Sequence, residues 1–195
     1  MSGLNLLSRE SISDLLNRIG KILADEGVIA EVAIFGGSAI ALMFDFRDST
    51  QDVDYIPVSG DVHRLAAAAD SVGGDVGLGP GWFNDAIEIF ASENPDYTPF
   101  GEFPIGNPGI RVFTASPEYL FAMKTLSMRS SLASHDVKDV WHLIDAIGLD
   151  SAEEGLALAE KFYPGHAVPT RNRLILEDVF EAKKDRRPYS PMMGW

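Results

Sequence analysis

Residues 35–58 read FGGSAIALMFDFRDSTQDVDYIPV. Two adjacent glycines and a serine open the stretch, and Asp52 and Asp54 close it inside an apolar run. The preceding VIAEVAIF (28–35) is β-rich and reads as a strand. GGSAIALMF turns into a short helix, because Ala, Leu and Met favour one. DVDYIPV (52–58) reads as a second strand, and Pro57 puts its end near an edge or a bend. In a strand, residues i and i+2 share a face. Asp52 and Asp54 are therefore neighbours, while Val53 and Tyr55 point the other way. Burying an unpaired carboxylate costs on the order of several kcal/mol, so something positive belongs between the two acids. An arginine, a lysine or a divalent metal would serve. Paired carboxylates suit Mg²⁺, which also takes substrate phosphates and keeps several waters.

The glycine turn supplies the other half. A strand that ends in Gly36-Gly37-Ser38 and opens a helix presents free backbone N–H groups, and a helix N-terminus attracts anions. The missing side chains let a phosphate approach the main chain, and Ser38 adds a hydroxyl. A phosphate cradle beside two metal-binding aspartates is a triphosphate site.

Working outward, Ile12, Leu15, Leu16, Ile19 and Leu23 fall at helical spacing over 11–26, with Ser11 and Asp14 as a capping box and Gly27 as the stop. HRLAAAADSVG (63–73) reads as a helix ending at Gly73, and the glycine-rich GGDVGLGPG follows as a loop. AIEIF (86–90) reads as a third strand and SENPDYTPFGEFPIGNPG as a loop or lid. IRVFTA (110–115) is a fourth strand. SPEYLFAMKTLSMRS starts a helix with Ser116 as N-cap, Pro117 in the first position and Glu118 in the first turn. SSLAS is a small polar break. DVKDVWHLIDAIG (136–148) is amphipathic, and SAEEGLALAEKFY and TRNRLILEDVFEAKK complete a helical end. The fold class is α/β (α+β): a small mixed sheet over 1–115 with an N-terminal helix, then a helical part over 116–195.

Composition narrows the function classes. Of 195 residues 46% are hydrophobic and 23% charged, which is globular rather than disordered. No run is long enough to span a bilayer, and the N-terminus lacks a secretory pattern, so a cytoplasmic protein is expected. There are no cysteines, which excludes disulfides, thiolate zinc sites and a cysteine nucleophile. The net charge of −13 rules out nucleic-acid binding through the overall field. A local patch would have to serve, and the candidates are Arg171, Arg173, Lys183, Lys184, Arg186 and Arg187. The plainer reading of that run is a solvated helix end. His63, His135, His142 and His166 show no metal-ligand spacing, and no serine sits in a G-x-S-x-G turn.

Gly36-Gly37-Ser38, thirteen residues, then Asp52-Val53-Asp54 resembles the signature of the DNA polymerase β-like nucleotidyltransferase superfamily. The chain looks most like bacterial nucleotidyltransferase toxins of the AbiEii/MenT type. Arg47 and Thr50 precede the aspartates as R-x-x-T-x-D-x-D, YLFAMKTLSMR places Lys124 on a helix after the last strand, and SHDVKDVWHLIDAIG resembles that group's D-x-x-D helix. FYPGHAVPTRNRLILEDVFE resembles its C-terminal stretch, so the likeness covers roughly residues 30–180.

The resemblance implies that an NTP gives its α-phosphate to an acceptor hydroxyl with Mg²⁺, or Mn²⁺ in its place. Asp52 and Asp54 would hold the metal. Gly36, Gly37, Ser38, Arg47, Thr50 and Lys124 would hold the nucleotide. Asp136 or Asp139 would orient Lys124 or activate the acceptor. A third metal-binding carboxylate is expected on a neighbouring strand: Glu88 has the setting, and Asp85 in the W-F-N-D run competes. The implied acceptor is tRNA at its 3′ end, and the implied partner is an antitoxin protein.

Each residue also has a plainer reading. Glu88 suits the outside of an edge strand, and Lys124 an exposed helix surface. Arg47 suits neutralising Asp45 or Asp48, and Asp136 and Asp139 suit a helix cap and a surface acid. Trp82, Phe83, Phe100 and Phe103 either stack a base or acceptor or pin loops to a core. Two other functions fit the same residues: transfer of AMP to a protein or to a cationic small molecule such as an aminoglycoside, and an idle interaction protein that keeps the fold.

Overall fold

The first helix, α1 (Arg9–Asp25), forms because its apolar residues recur on one side, and Ile12, Leu15, Leu16, Ile19 and Leu23 are all buried. Its cap is Ser8, whose hydroxyl accepts from the Ser11 backbone N–H, so the helix starts one turn before the Ser11–Asp14 box read from the sequence. The computed structural model describes residues 6–128 and 135–185. The SSLAS break and Arg186 and Arg187 lie outside the described residues.

The chain divides into two compact units. The first takes in residues up to Ala91 and Asp96–Ser116, and the second Ser92–Pro95 and everything from Pro117 onward.

The first unit holds a mixed five-stranded sheet in the order β3-β2-β1-β5-β4. The strands are β1 (Ala30–Ile34), β2 (Val53–Ser59), β3 (Phe83–Asn84), β4 (Tyr97–Phe103) and β5 (Ile110–Ala115). β1 runs antiparallel to β2 and parallel to β5; β2 is parallel to β3, and β4 is antiparallel to β5. Val32, Ala33 and Ile34 of β1 are fully buried, as a central strand requires. With α1, the helices α2 (Gly36–Met43) and α3 (Val62–Val76) complete the unit.

Three readings change here. AIEIF is not a strand. Residues Ala86–Phe90 form a 3₁₀ turn with no buried residue, and the strand beside β2 is Phe83–Asn84. The Asn84 side-chain oxygen accepts the Ala86 N–H and bends the chain away from the sheet. The supposed lid contains β4. It lies at the sheet's edge with a register irregularity between Pro99 and Gly101, the setting in which proline and glycine are tolerated in a strand. Finally, α3 runs past Gly73 to Val76 and stops at Gly77 in the left-handed region.

The second unit is helical: α4 (Pro117–Ser127), α5 (Asp136–Ile147), α6 (Ala152–Phe162) and α7 (Thr170–Lys184). Tyr119 of α4 stacks on Phe162 of α6 at 5.0 Å. Asn172 of α7 donates to the carbonyls of Thr125 and Leu126, which the end of α4 leaves without intrahelical partners. Gly148 closes α5 in the left-handed conformation.

Candidate functional site

In the first unit, the sheet itself places Asp54. Ile34 pairs with Tyr55, and the next residue, Phe35, donates its N–H to the Asp54 carbonyl at 2.9 Å. The end of β1 is thus tied to Asp54 just where the chain turns into α2. Gly36 adopts φ +62, and a Cβ there would lie 2.6 Å from Asp54 Oδ2. A side chain at Gly36 would strain the backbone and collide with the carboxylate. A Cβ on Gly37 would lie 2.6 Å from Arg47 Cζ, so the guanidinium lies against that glycine. Arg47 Nε also donates to the Ser49 carbonyl at 3.2 Å.

The bare backbone of Gly36 and Gly37, expected to admit a phosphate, is therefore met in this structure by the chain's own Asp54 and Arg47. The expected hydroxyl differs too. Ser38 is buried, and its Oγ donates to the Phe35 carbonyl at 2.8 Å, closing the turn. Its single proton serves the fold. The first turn of α2 has no side-chain cap from Phe35, so its donors are backbone N–H groups. Thr50 is buried, and its backbone forms a two-bond bridge with Leu7. Asp52 is half-buried one residue before β2 begins.

The position in register with Asp54 on the neighbouring strand belongs to Asn84. Its Nδ2 donates to Asp54 Oδ1 at 3.3 Å and to the Gly81 carbonyl at 3.1 Å. Sequence reading missed Asn84 because it sought an acid and placed the strand three residues too late. The signal was present in W-F-N-D, where Asn84 precedes Asp85. Glu88 sits on the exposed 3₁₀ turn rather than on a strand. Asp85 and Glu88 act on Tyr55 instead. Burial first, then the charges of Asp85, Glu88 and Asp70, push the Tyr55 hydroxyl up to about 12.

Among the described residues no group of three or more His, Cys, Asp or Glu side chains is arranged to hold a metal. Asp52 and Asp54 are two carboxylates at one end of β2. That donor set fits an ion such as Mg²⁺, which completes its shell with substrate phosphates and water.

The aromatic residues follow the plainer reading. Trp82 is buried and donates to the Ala69 carbonyl at 3.0 Å, and Phe83 stacks on Tyr55 at 4.3 Å. Phe100 and Phe103 lie on β4, 6.4 Å apart.

In the second unit, the structure brings Lys124, Asp136 and Asp139 together. Lys124 Nζ lies 2.9 Å from Asp136 Oδ1 and 2.9 Å from Asp139 Oδ2. The side chains are 10%, 14% and 3% exposed, so this is a buried ion trio rather than a surface bridge. Both acids lie in the first turn of α5, where the helix dipole favours negative charge. Lys124 is not the exposed helix lysine of the plainer reading, and both aspartates lie against it.

The basic residues of α7 are partly engaged. Lys183 pairs with Asp145 at 2.7 Å and lies over the Trp141 ring at 4.1 Å, and Arg173 reaches Glu177 at 3.7 Å. His142 is held below the usual histidine range by burial first and then by nearby Lys138.

Among the described residues, no helix is long and apolar enough to cross a membrane. No curated protein and no solved structure matches the chain. A family model described as nucleotidyltransferase of unknown function (DUF6036) matches residues 10–166, which takes in both the glycine turn with its aspartates and the lysine trio. The chain belongs to that family, and is a nucleotidyltransferase, a transferase of phosphorus-containing groups.

Proposed function

We propose that the protein moves a nucleoside monophosphate from an NTP to an acceptor hydroxyl at the 3′ end of tRNA, as the toxin of a toxin–antitoxin pair. One observation carries the transfer itself: the Asp54 carboxylate lies against a glycine turn whose backbone N–H groups open a helix. Charge at the α-phosphate and backbone donors for the phosphate tail are what such a transfer needs, since positioning and neutralisation supply most of the catalysis. The tRNA acceptor and the antitoxin partner rest on the likeness of residues 30–180 to AbiEii/MenT-type toxins.

In the reaction, the acceptor oxygen bonds to the α-phosphorus and the bridge from α- to β-phosphate breaks. Pyrophosphate leaves with the electron pair, and the hydroxyl proton passes to a carboxylate of the Asp52/Asp54 pair. When bound, a divalent ion, Mg²⁺ or Mn²⁺, supplies charge neutralisation at the phosphate oxygens. Asp52 and Asp54 would hold it. The N–H groups at Gly36 and Gly37 cradle the tail, and Arg47 moves its charge from Gly37 to a phosphate oxygen. Thr50 fixes the segment between Arg47 and the aspartates by its bridge to Leu7. A role for Lys124 at the triphosphate rests on the likeness to those toxins alone.

A second reading has an observation of its own. A net charge of −13 suits a cationic acceptor such as an aminoglycoside better than an RNA backbone. Incubation with each α-labelled NTP and Mg²⁺, offered separately to tRNA, to cell protein and to a cationic aminoglycoside, decides between them. Label on tRNA supports the reading. Label on another acceptor reassigns the substrate, and label nowhere with any NTP contradicts the transfer.

A further inference from the structure

Asp54 is held on two sides. On one, its carbonyl is bonded to Phe35 and its carboxylate lies against Gly36. On the other is Asn84, its partner in the register of β2 and β3. The Asn84 amide has a defined direction. Its oxygen must accept, because the Ala86 backbone N–H points at it from 3.1 Å. Its nitrogen therefore donates, to the Gly81 carbonyl and to Asp54 Oδ1. One side chain thus closes the turn after β3 and steers the carboxylate across the strand.

The polarity of that contact sets what Asp54 can do with a cation. An N–H directed at the carboxylate occupies one acceptor position and adds no negative charge. Among the described residues no third acid joins the group, so Asp52 and Asp54 are its two carboxylates. Such a set binds a hard divalent ion weakly until phosphate oxygens join it.

We propose that Asn84 is the positioning residue of the Asp54 carboxylate, and that by setting an amide where an acid would add a ligand it makes the divalent ion arrive with the nucleotide rather than wait in the resting protein. This rests on the nucleotidyl-transfer reading above and adds the order in which ion and substrate bind.

The test is Mn²⁺ binding to the protein, read from the electron paramagnetic resonance of the free ion, without and with a non-hydrolysable NTP analogue, after subtracting the Mn²⁺ that the analogue alone holds in a protein-free control. Asn84→Asp is the informative variant, because an aspartate oxygen can still accept the Ala86 N–H and keep the turn. Thermal midpoints show that each variant is folded. The wild-type protein should bind Mn²⁺ at least about tenfold more tightly with the analogue than without it. Asn84→Asp should gain about tenfold without the analogue, by adding one charged ligand. Asn84→Asp combined with Asp54→Asn should lose that gain.

The proposal is overturned if the wild-type protein binds Mn²⁺ equally well with and without the analogue. It is also overturned if folded Asn84→Asp binds no more tightly than wild type, or if its gain survives loss of the Asp54 carboxylate. The nucleotide-free arm reports on Asn84 even if no acceptor is ever labelled, so a failure of the transfer reading is seen separately.

Discussion

The Asp54 cluster and the Lys124 cluster are built in different ways. In the first unit, the backbone, helped by the neutral Asn84 side chain, positions the charge of Asp54. Strand pairing fixes Asp54, and two glycines leave room for its carboxylate and for the Arg47 guanidinium. In the second unit, the charges place one another. Lys124 is held by Asp136 and Asp139, and all three are nearly out of water. A charge positioned by backbone can be removed with the scaffold intact. A charge positioned by other buried charges cannot, because its removal leaves them uncompensated.

That contrast orders the expected effects. The largest is on catalysis, in the first unit. Asp54→Ala should lower the transfer rate by on the order of a thousandfold or more and barely move the thermal midpoint. A large drop in that midpoint would show that the two clusters do not differ as described.

Next comes stability, in the second unit. Lys124→Met leaves two buried carboxylates facing each other and should cost about 3–5 kcal/mol. In a chain of this size that lowers the melting temperature by on the order of 10 °C, measurable by circular dichroism. Adding Asp136→Asn and Asp139→Asn should recover part of the loss, since the uncompensated charge is then gone. No recovery would locate the lysine's role elsewhere.

A smaller effect separates the two glycines. Gly36→Ala meets both a left-handed backbone and the Asp54 oxygen, and should cost about 1–2 kcal/mol along with activity. Gly37→Ala meets only the movable end of Arg47 and should leave stability nearly unchanged while weakening nucleotide binding. Urea unfolding and nucleotide titration distinguish the pair.

The last effect is silent at neutral pH and appears only in strong base. The Tyr55 hydroxyl ordinarily titrates near 10 and is pushed up to about 12 in the fold, so the fold favours its neutral form. That stability is fully present below about pH 10. It is lost by about 1.4 kcal/mol per pH unit as pH rises toward 12, because the unfolded chain loses the proton first. Tyr55→Phe should flatten this decline in alkaline unfolding.

How much the sequence disclosed follows the same contrast. The turn at Gly36 and the strand holding Asp54 were legible because their signals are local: a glycine pair, a period of two and a run of helix formers. The helices carrying Lys124 and Asp136 were legible as helices. That both acids close on one lysine depends on how α4 and α5 pack, and periodicity does not encode that. The edge strand Tyr97–Phe103 was hidden because its prolines and glycine argue for a loop, and only an edge position tolerates them. AIEIF misled in the other direction. It has the composition of a strand, but Asn84 turns the chain before it, and its residues stay out of the core. Asn84 itself was invisible to a search for acids.

The most direct test of the account uses two labelled forms of the same NTP, one carrying the label on the α-phosphate and one on the γ-phosphate, with Mg²⁺ and the acceptor that the screen identifies. Nucleotidyl transfer governed by Asp54 predicts α-label on the acceptor, γ-label only in released pyrophosphate, and neither product with Asp54→Ala. Label from the γ-phosphate on the acceptor, or undiminished α-label with Asp54→Ala, would contradict it.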